Sequence, residues 1–492
     1  MLQAFPPRFP YPSPLHPPIL SPMKKSTPII LFFAAIAVRL VVYFATHYAV
    51  DDAFITFRYA ANIAHGNGLV YNLGERVLGT STPLFTLLIA LFNLIGIDSI
   101  TAALFFNLTA AGLTTVILYR WSQHLDLGRF AILPAVIYIV FPRSVICDIA
   151  GMETALFALL VTSGMYLLFR GEHFAAITVA SLATVARPEG WALLALILAA
   201  IVFRDRRQLV LKAVPVLLIA GNWLLFAQAY FGSVVPNSLT AKMALYSGYE
   251  RFSSWQNPAI TLGLNSPFGW IIWPLFLLGL IFAFRRDRLL GIIAVWCGAY
   301  LGALIVSGTH VFFWYPAPVY PTSFVIVTIA VVRLLLWLPF RRAATTTWVP
   351  AVVSILVVVA SLIHLTGRFD NLRLEMASYH DIHIAAADYL TQHARPNDRV
   401  LAEDIGYFGY YFRGRIIDRD GLVTPQAASY NRAGEYRRFA DSTNTEWLFI
   451  DPDYPTSLPI VTASDFAERY EMIPLPRAGD NPCHQLYRRT QR

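Results

Sequence analysis

The chain has 492 residues, 56% hydrophobic, 14% aromatic and only 14% charged, with a mean hydropathy of +0.53. Soluble domains carry about a quarter charged residues, so this composition excludes an ordinary soluble enzyme and a disordered protein, and makes lipid the solvent of most of the chain. The net charge of +8 is what Lys/Arg-marked cytoplasmic loops give a membrane protein, and it is no argument for nucleic acid. Cys147, Cys297 and Cys483 are scattered, without a disulfide framework or a zinc spacing.

Residues 1–22, rich in proline, read as a disordered leader. Lys24-Lys25 then precede an apolar run from Thr27 to Val50 that is too long for a signal-peptide core and anchors the chain. Its basic flank stays in the cytoplasm, so Asp51-Asp52 emerge on the far side. Further basic clusters mark cytoplasmic loops at Arg204 with Arg206-Arg207, Arg285-Arg286 with Arg288, and Arg341-Arg342. Between them, spans are expected near 101–120, 129–147, 151–169, 173–186, 190–203, 209–231, 266–284, 289–308, 316–337 and 348–366. Parity forbids 82–97 from crossing. Its helix would reach only about 24 Å against a hydrocarbon core of about 30 Å, and Thr82, Thr86 and Asn93 give it a polar stripe, so it is expected to lie in the outer interface or to dip in and return. The scheme is a polytopic α-helical membrane domain of about eleven spans over residues 23–368, and a C-terminal extracytoplasmic α/β domain over 369–492. In that domain Asp381–His393 reads as a helix, and Arg399–Ala402, Arg415–Ile417 and Trp447–Ile450 as strands. Glu403, Asp404, Asp418 and Asp420 fall beside these strands, where capping and solvation account for them.

The chemistry-bearing residues collect at the outer ends of the spans. Asp51 and Asp52 open the first outer loop, Asp51 as the natural N-cap of a helix over 52–62 and Arg58 two turns further along the same face. An adjacent carboxylate pair at the mouth of a membrane domain can take a proton from a hydroxyl or hold a divalent cation. Asp148 and Glu153 bracket the next outer turn, and Glu189 sits in Arg187-Pro188-Glu189-Gly190. Asn237 and Lys242 lie in the loop near 232–265, where Lys242 can act as a point charge for a phosphate, and His310 opens the turn before Trp314-Tyr315. Capping, snorkelling and the aromatic belt are the plain alternatives for each of these. No nucleotide or dinucleotide fingerprint and no His-Glu-x-x-His is present. Only Arg39 lies well inside an apolar run, whereas transporters concentrate ionisable groups near the midplane. A flippase or transporter of lipid-linked saccharide therefore ranks below an interfacial enzyme, with a catalytically inactive scaffold as the remaining alternative.

Asp51-Asp52-Ala53-Phe54-Ile55-Thr56-Phe57-Arg58-Tyr59 directly after the first span resembles the GT-C class of membrane glycosyltransferases. The group named for the terminal arabinofuranosyltransferases is the nearest within it. Gly68–Asn72 with Gly74–Val77, Gly151–Thr154, Arg187–Gly190, and Pro236–Ser238 with Lys242 extend the resemblance across most of 27–340. It implies a polyprenyl-phosphate sugar as donor, a glycan, lipid or protein as acceptor, and reaction on the outer face of the cytoplasmic membrane. A first-loop aspartate, Asp51 or Asp52, would be the base. Arg58, Arg187, Lys242, Asn237 and His310 would bind donor and phosphate, with Glu153, Glu189 and Asp148 as supporting acids. Direct attack with a single carboxylate predicts inversion. No tightly bound cofactor is expected; a divalent metal (Mg²⁺ or Mn²⁺) is left open, with Asp52 and Glu153 as its ligands, as are the sugar and the acceptor.

Overall fold

The computed structural model describes residues 26–202, 212–246, 256–307, 310–337, 348–475 and 483–490; the expected leader, Lys24-Lys25, the 204–207 cluster and Arg341-Arg342 lie outside them. Nine helices open the described chain: α1 (Thr27–Thr46), α2 (Asp51–Ala64), α3 (Pro83–Leu94), α4 (Ser99–His124), α5 (Leu133–Val140), α6 (Pro142–Ile149), α7 (Thr154–Arg170), α8 (His173–Ala186) and α9 (Gly190–Val202). Among the described residues six helices are long and apolar enough to cross a membrane: α1, α4, Pro267–Arg286, Arg288–Val306, Ala317–Trp337 and the helix that begins at Trp348. A seventh is the pair Gly128–Val140 and Pro142–Ile149, bent by 53°. The bend has a local cause: Phe141 precedes a proline and takes an extended backbone (φ −62°, ψ 116°). The other four of the expected spans are helical but short, running over Thr154–Arg170, His173–Ala186, Gly190–Val202 and Val216–Phe231. At 1.5 Å per residue, helices of this length reach only about 20–26 Å, less than the hydrocarbon core. The chain is a multi-pass membrane protein, in which length and composition alone account for fewer crossings than the hydropathy pattern predicts.

Lipid-facing and core faces separate cleanly on α1. Ile29, Phe33, Val41 and Phe44 are exposed, while Ala35, Arg39 and Val42 pack inward. The helix lies against α4, which also packs on α7, and α8 joins α7 to α9. Asp148 corrects its predicted place: it sits on α6, buried, rather than at an outer site. Its Oδ2 accepts from Arg39 Nε at 2.8 Å and from the Tyr138 hydroxyl at 3.0 Å, while the remaining Arg39 donors reach the carbonyls of Ala35, Tyr138 and Ile139. An isolated charge in this apolar setting is very costly, so the sequence's one mid-span arginine requires a partner acid from a neighbouring element.

α3 is 12 residues long and packs between α2, α4 and α8. Its polar stripe faces inward: the Thr86 hydroxyl donates to the Thr82 carbonyl at 3.0 Å, and the Thr56, Thr80, Thr82 and Thr86 hydroxyls link at 3.3 Å. Asn93 bonds Ser99 at the start of α4.

After the Trp348–Thr366 helix, Phe369–His393 leads into a five-stranded sheet ordered β2-β1-β3-β5-β4. β1 (Arg399–Ala402), β2 (Arg415–Asp418) and β3 (Trp447–Ile450) are parallel; β5 (Gln485–Arg489) and β4 (Tyr470–Ile473), which the sequence reading missed, run antiparallel at one edge. The sheet domain shares its core with the first loop: Ile55, Tyr59, Leu69 and Tyr71 pack with Ile382, Phe408, Trp447 and Phe449. Arg39→Leu leaves Asp148 buried without its cation and should cost about 3–5 kcal/mol, whereas Arg39→Leu with Asp148→Leu should recover most of that. Thermal unfolding in a fixed detergent reads both, and a double variant no better than the single one would assign Arg39's role to its carbonyl contacts.

Candidate active site between the first loop and the sheet domain

α2 starts after an extended Val50, and neither Asp51 nor Asp52 caps it. The Asp51 carboxylate instead accepts the backbone N–H groups of Gly406 at 2.8 Å and Tyr407 at 2.7 Å, at the start of the Ile405–Tyr411 helix of the sheet domain. These amides have no partner inside their own helix, and a carboxylate satisfies two of them at once. The contact also explains two glycines. A Cβ at Gly406 would run into the Asp51 backbone and carboxylate, and one at Gly409 into the Tyr71 hydroxyl. Burial raises the Asp51 carboxyl to about 7 against the two N–H donors, with Asp52 and Asp420 adding to the rise.

Asp52, one residue on, points the other way. Its Oδ2 accepts from Lys242 Nζ at 2.9 Å, and both side chains stay about a quarter exposed, 27% and 24%, so the pair is reachable from outside. Lys242 lies on the Asn237–Tyr246 helix with Nζ 4.8 Å from the Phe312 ring centroid. Burial pulls its pKa down, but the Asp52 carboxylate and Tyr315 outweigh it and hold the ammonium charged well above the ordinary lysine value.

Arg187 is the second cation. It bonds Glu153 through Nη1 and Glu189 bidentately, Nη2 at 2.8 Å and Nε at 3.1 Å. Burial disfavours both carboxylates; Arg187 overcomes this at Glu189, which is lowered, while Glu153 stays raised. The Arg187 guanidinium also faces the Tyr315 ring at 5.6 Å. A small cavity of about 50 Å³ is walled by Asp52, Lys242, Arg187 and Glu153 together with Thr56, Gly79–Thr82, Ser238, Trp314 and Tyr315. Beyond Asp52 and Trp314 lies a larger one of about 210 Å³, walled also by Asp51, Glu375, Asp404 and Tyr407.

Of the predicted site residues the fold thus gathers Asp52, Glu153, Arg187, Glu189 and Lys242. Arg58 is elsewhere: its Nε donates to the Tyr71 carbonyl, Nη1 to those of Gly409 and Phe412, and Nη2 to Gly414 O and Asn72 Oδ1. All five donors are engaged, which leaves none for a phosphate. Asn237 is likewise structural, donating to the carbonyls of Gly421 and Leu422. His310 packs edge-on against Phe312 at 4.5 Å, one ring away from Lys242, and burial lowers its pKa, with the Lys242 charge assisting. A metal held by Asp52 and Glu153 does not fit this arrangement, because Lys242 and Arg187 already neutralise those two carboxylates. The hydroxyl run Thr80-Ser81-Thr82, Thr56 and Ser238, and the rings of Trp314 and Tyr315, line the cavity without having been predicted. Three consecutive hydroxyl residues before the Pro83 helix are the available signal, and in the sequence the two aromatics read as part of an interfacial belt.

This architecture has solved counterparts. The fold is similar to ArnT from Cupriavidus metallidurans bound to undecaprenyl phosphate, at TM-score 0.61 and 14% identity over 94% of this chain and 98% of that one. It is also similar to the Archaeoglobus fulgidus oligosaccharyltransferase in complex with Zn and sulfate, at TM-score 0.58 and 14% identity over 90% and 71%. The chain therefore shares its overall fold with these two membrane proteins. The family described as Domain of unknown function (DUF8728) matches residues 370–487, which is most of the sheet domain and its leading helix. No curated protein sequence matches significantly.

Two outcomes follow from the Asp51 contact. Gly406→Ala should loosen the sheet domain from α2, read as faster hydrogen exchange at 405–411 and as release of a C-terminal fragment by a protease that leaves the parent intact. The folded state also holds a proton on Asp51 up to about pH 7, whereas an unfolded Asp releases it near about pH 4. Stability from this group is complete below that lower value and is lost as pH rises through 7. Asp51→Asn should flatten the fall in Tm between those limits, and an unchanged slope would assign the fall to other acids such as Asp418 and Glu403, both also raised to about 7.

Proposed function

We propose that this protein transfers a sugar from a polyprenyl-phosphate carrier to an acceptor hydroxyl, with inversion, on the extracytoplasmic face of the cytoplasmic membrane. The arabinofuranosyltransferase-like group is the nearest relation within that class, and the acceptor is a glycan, lipid or protein. The observation that carries the reading is the Asp52–Lys242 pair, a carboxylate and an ammonium 2.9 Å apart in a partly open cavity of a GT-C fold. The similar ArnT structure holds undecaprenyl phosphate, which makes a lipid phosphate the natural ligand to bring to Lys242.

The reaction needs few groups. The bond between the anomeric carbon and the phosphate oxygen breaks and leaves its electron pair on the phosphate, which is a good leaving group and needs no acid. The acceptor oxygen forms the new bond from the opposite face, and its proton passes to Asp52 as general base. Lys242 has three donors and gives one to Asp52, so it can turn to the phosphate as the donor enters and free the carboxylate for the acceptor. Arg187, held by Glu153 and Glu189, positions that wall and keeps it from being purely acidic. With Asp51 held by the sheet domain and Glu153 by Arg187, Asp52 is the carboxylate left to act at the reacting centre, which fits direct displacement rather than a glycosyl-enzyme. The transporter alternative loses support here, because Arg39 inside the first span is committed to Asp148 in the core.

The test is a comparison of turnover and donor binding on protein in nanodiscs, with a panel of undecaprenyl-phosphate sugars. Asp52→Asn should lower turnover by about 10²–10⁴-fold while undecaprenyl phosphate still binds. Lys242→Met should weaken that binding, and Asp51→Asn should act on stability more than on the chemical step. Full activity of Asp52→Asn would end the reading.

A further inference from the structure

The sheet domain contains a group of residues that neither the fold comparison nor the transferase chemistry uses. His383 from the Phe369–His393 helix, Asp404 just after β1 and His484 just before β5 meet with one ligand atom each, all within 4.8 Å of one another. His383 and His484 are buried, at 0% and 4% exposure. Their rings lie 4.6 Å apart, one edge-on and the other tilted against Phe449. Sequence spacing hides the group, since about 20 and 80 residues separate its members, far from the short ligand spacings of zinc modules.

The place is one where parallel sheets bind ligands. β1 leads to β2 on one side and pairs with β3 on the other, so the chain reverses direction across the sheet between β1 and β3. Asp404 follows the carboxyl end of β1, and His484 precedes Gln485, which pairs with Ile450 at the carboxyl end of β3. Ligands collect outside the carboxyl ends of strands at such a switch point.

From this geometry we propose that His383, Asp404 and His484 form a site for one divalent transition-metal ion, with zinc the best match. Two imidazoles and a carboxylate are a donor set suited to zinc and poorly suited to magnesium or calcium. Bonds of about 2.0–2.1 Å in a tetrahedron place ligand atoms about 3.4 Å apart, and His484 Nε2 already stands 3.4 Å from Asp404 Oδ2. Glu403 Oε1, 3.9 Å from His484 Nε2, accepts the Asp451 backbone N–H, while Oε2 accepts from Ser457 Oγ at 2.9 Å and pairs with Arg419, so Glu403 belongs to the outer shell. Cys483 Sγ contacts the other ring nitrogen of His484 at 3.3 Å and fixes the ring's orientation. The Asp404 side chain is 41% exposed and walls the same cavity as Asp51 and Asp52. Three protein ligands leave a fourth position, and Asp404 puts it on the cavity side, where an acceptor or a water can reach it.

The site stands whether or not Asp52 transfers a sugar, because its readout is binding. Tag-free full-length protein in detergent, stripped with a chelator and dialysed, is titrated with Zn²⁺ in the presence of excess Mg²⁺, and bound metal is counted by elemental analysis. One zinc per chain is expected, along with a four-coordinate Co²⁺ spectrum and a higher Tm. His484→Gln and Asp404→Asn should each weaken zinc by at least the about 10–100-fold typical of losing an outer-shell partner, and Asp52→Asn should leave it unchanged. Size-exclusion profiles and undecaprenyl-phosphate binding identify variants that remain folded. Absence of a stoichiometric zinc in the parent, or equal zinc affinity in folded His484→Gln and Asp404→Asn, would overturn the assignment.

Discussion

All five N–H groups of Arg58 reach oxygens that belong to two different parts of the chain: Tyr71 and Asn72 of the first loop, and Gly409, Phe412 and Gly414 of the sheet domain. A buried guanidinium is tolerable only when its donors are satisfied, and here they are satisfied only if the sheet domain is docked. The first loop, the α2 helix and the sheet domain are therefore one unit. Asn72 adds to the same seam, accepting from Ile416 N and donating to its carbonyl, and the Tyr71 hydroxyl donates to Ile405 O. The cavity around Asp52 has its wall built by that seam, since Leu422 of the sheet domain closes one side of it.

Docking separates the two adjacent aspartates in kind. Asp51 is drawn into the interface by two amides that only the sheet domain can supply, and burial keeps its proton bound to about pH 7. Asp52 meets Lys242 in a setting open enough for exchange with a ligand. The motif thus carries one residue committed to assembly and one left facing a cavity, and the aspartate held in the interface fixes the direction of the other.

The acids and bases of the membrane domain sort in the same way. Arg39 with Asp148 is an interior pair, closed by Tyr138 and three carbonyls. Arg187 with Glu153 and Glu189 is a wall, with three of its N–H groups given to the two carboxylates and Tyr315 on its face. Lys242 gives one of its three N–H groups to Asp52, in a pair that stays partly exposed. A scheme that counts charges at the outer ends of helices treats these three cations alike; their hydrogen-bond inventories distinguish them.

The apolar blocks, the helix after Asp51-Asp52, the short helix within 82–97 and three of the five strands were legible in the sequence, because each rests on local periodicity and length. Glu153, Arg187, Glu189, Asp52 and Lys242 were legible as candidates, because charge beside apolar runs is costly and so is seldom accidental. What the sequence alone could not decide was partnership. Asp51 looked like a cap for its own helix and became one for another helix more than 350 residues away; Arg58 and Asn237 looked free for a ligand and are committed to sheet-domain carbonyls; Asp148 looked like an outer acid and is Arg39's counter-ion. β4 and β5 lie at the antiparallel edge of the sheet, where Leu486 and Tyr487 pack inward while Glu471, Met472 and Arg488 are exposed, a pattern too short to stand out. Composition and periodicity determine which segments enter lipid and where charge collects, since those depend on each residue's own transfer energy. Which charges meet depends on long-range packing, and only the tertiary structure brings Asp52 to Lys242 and His383 to His484.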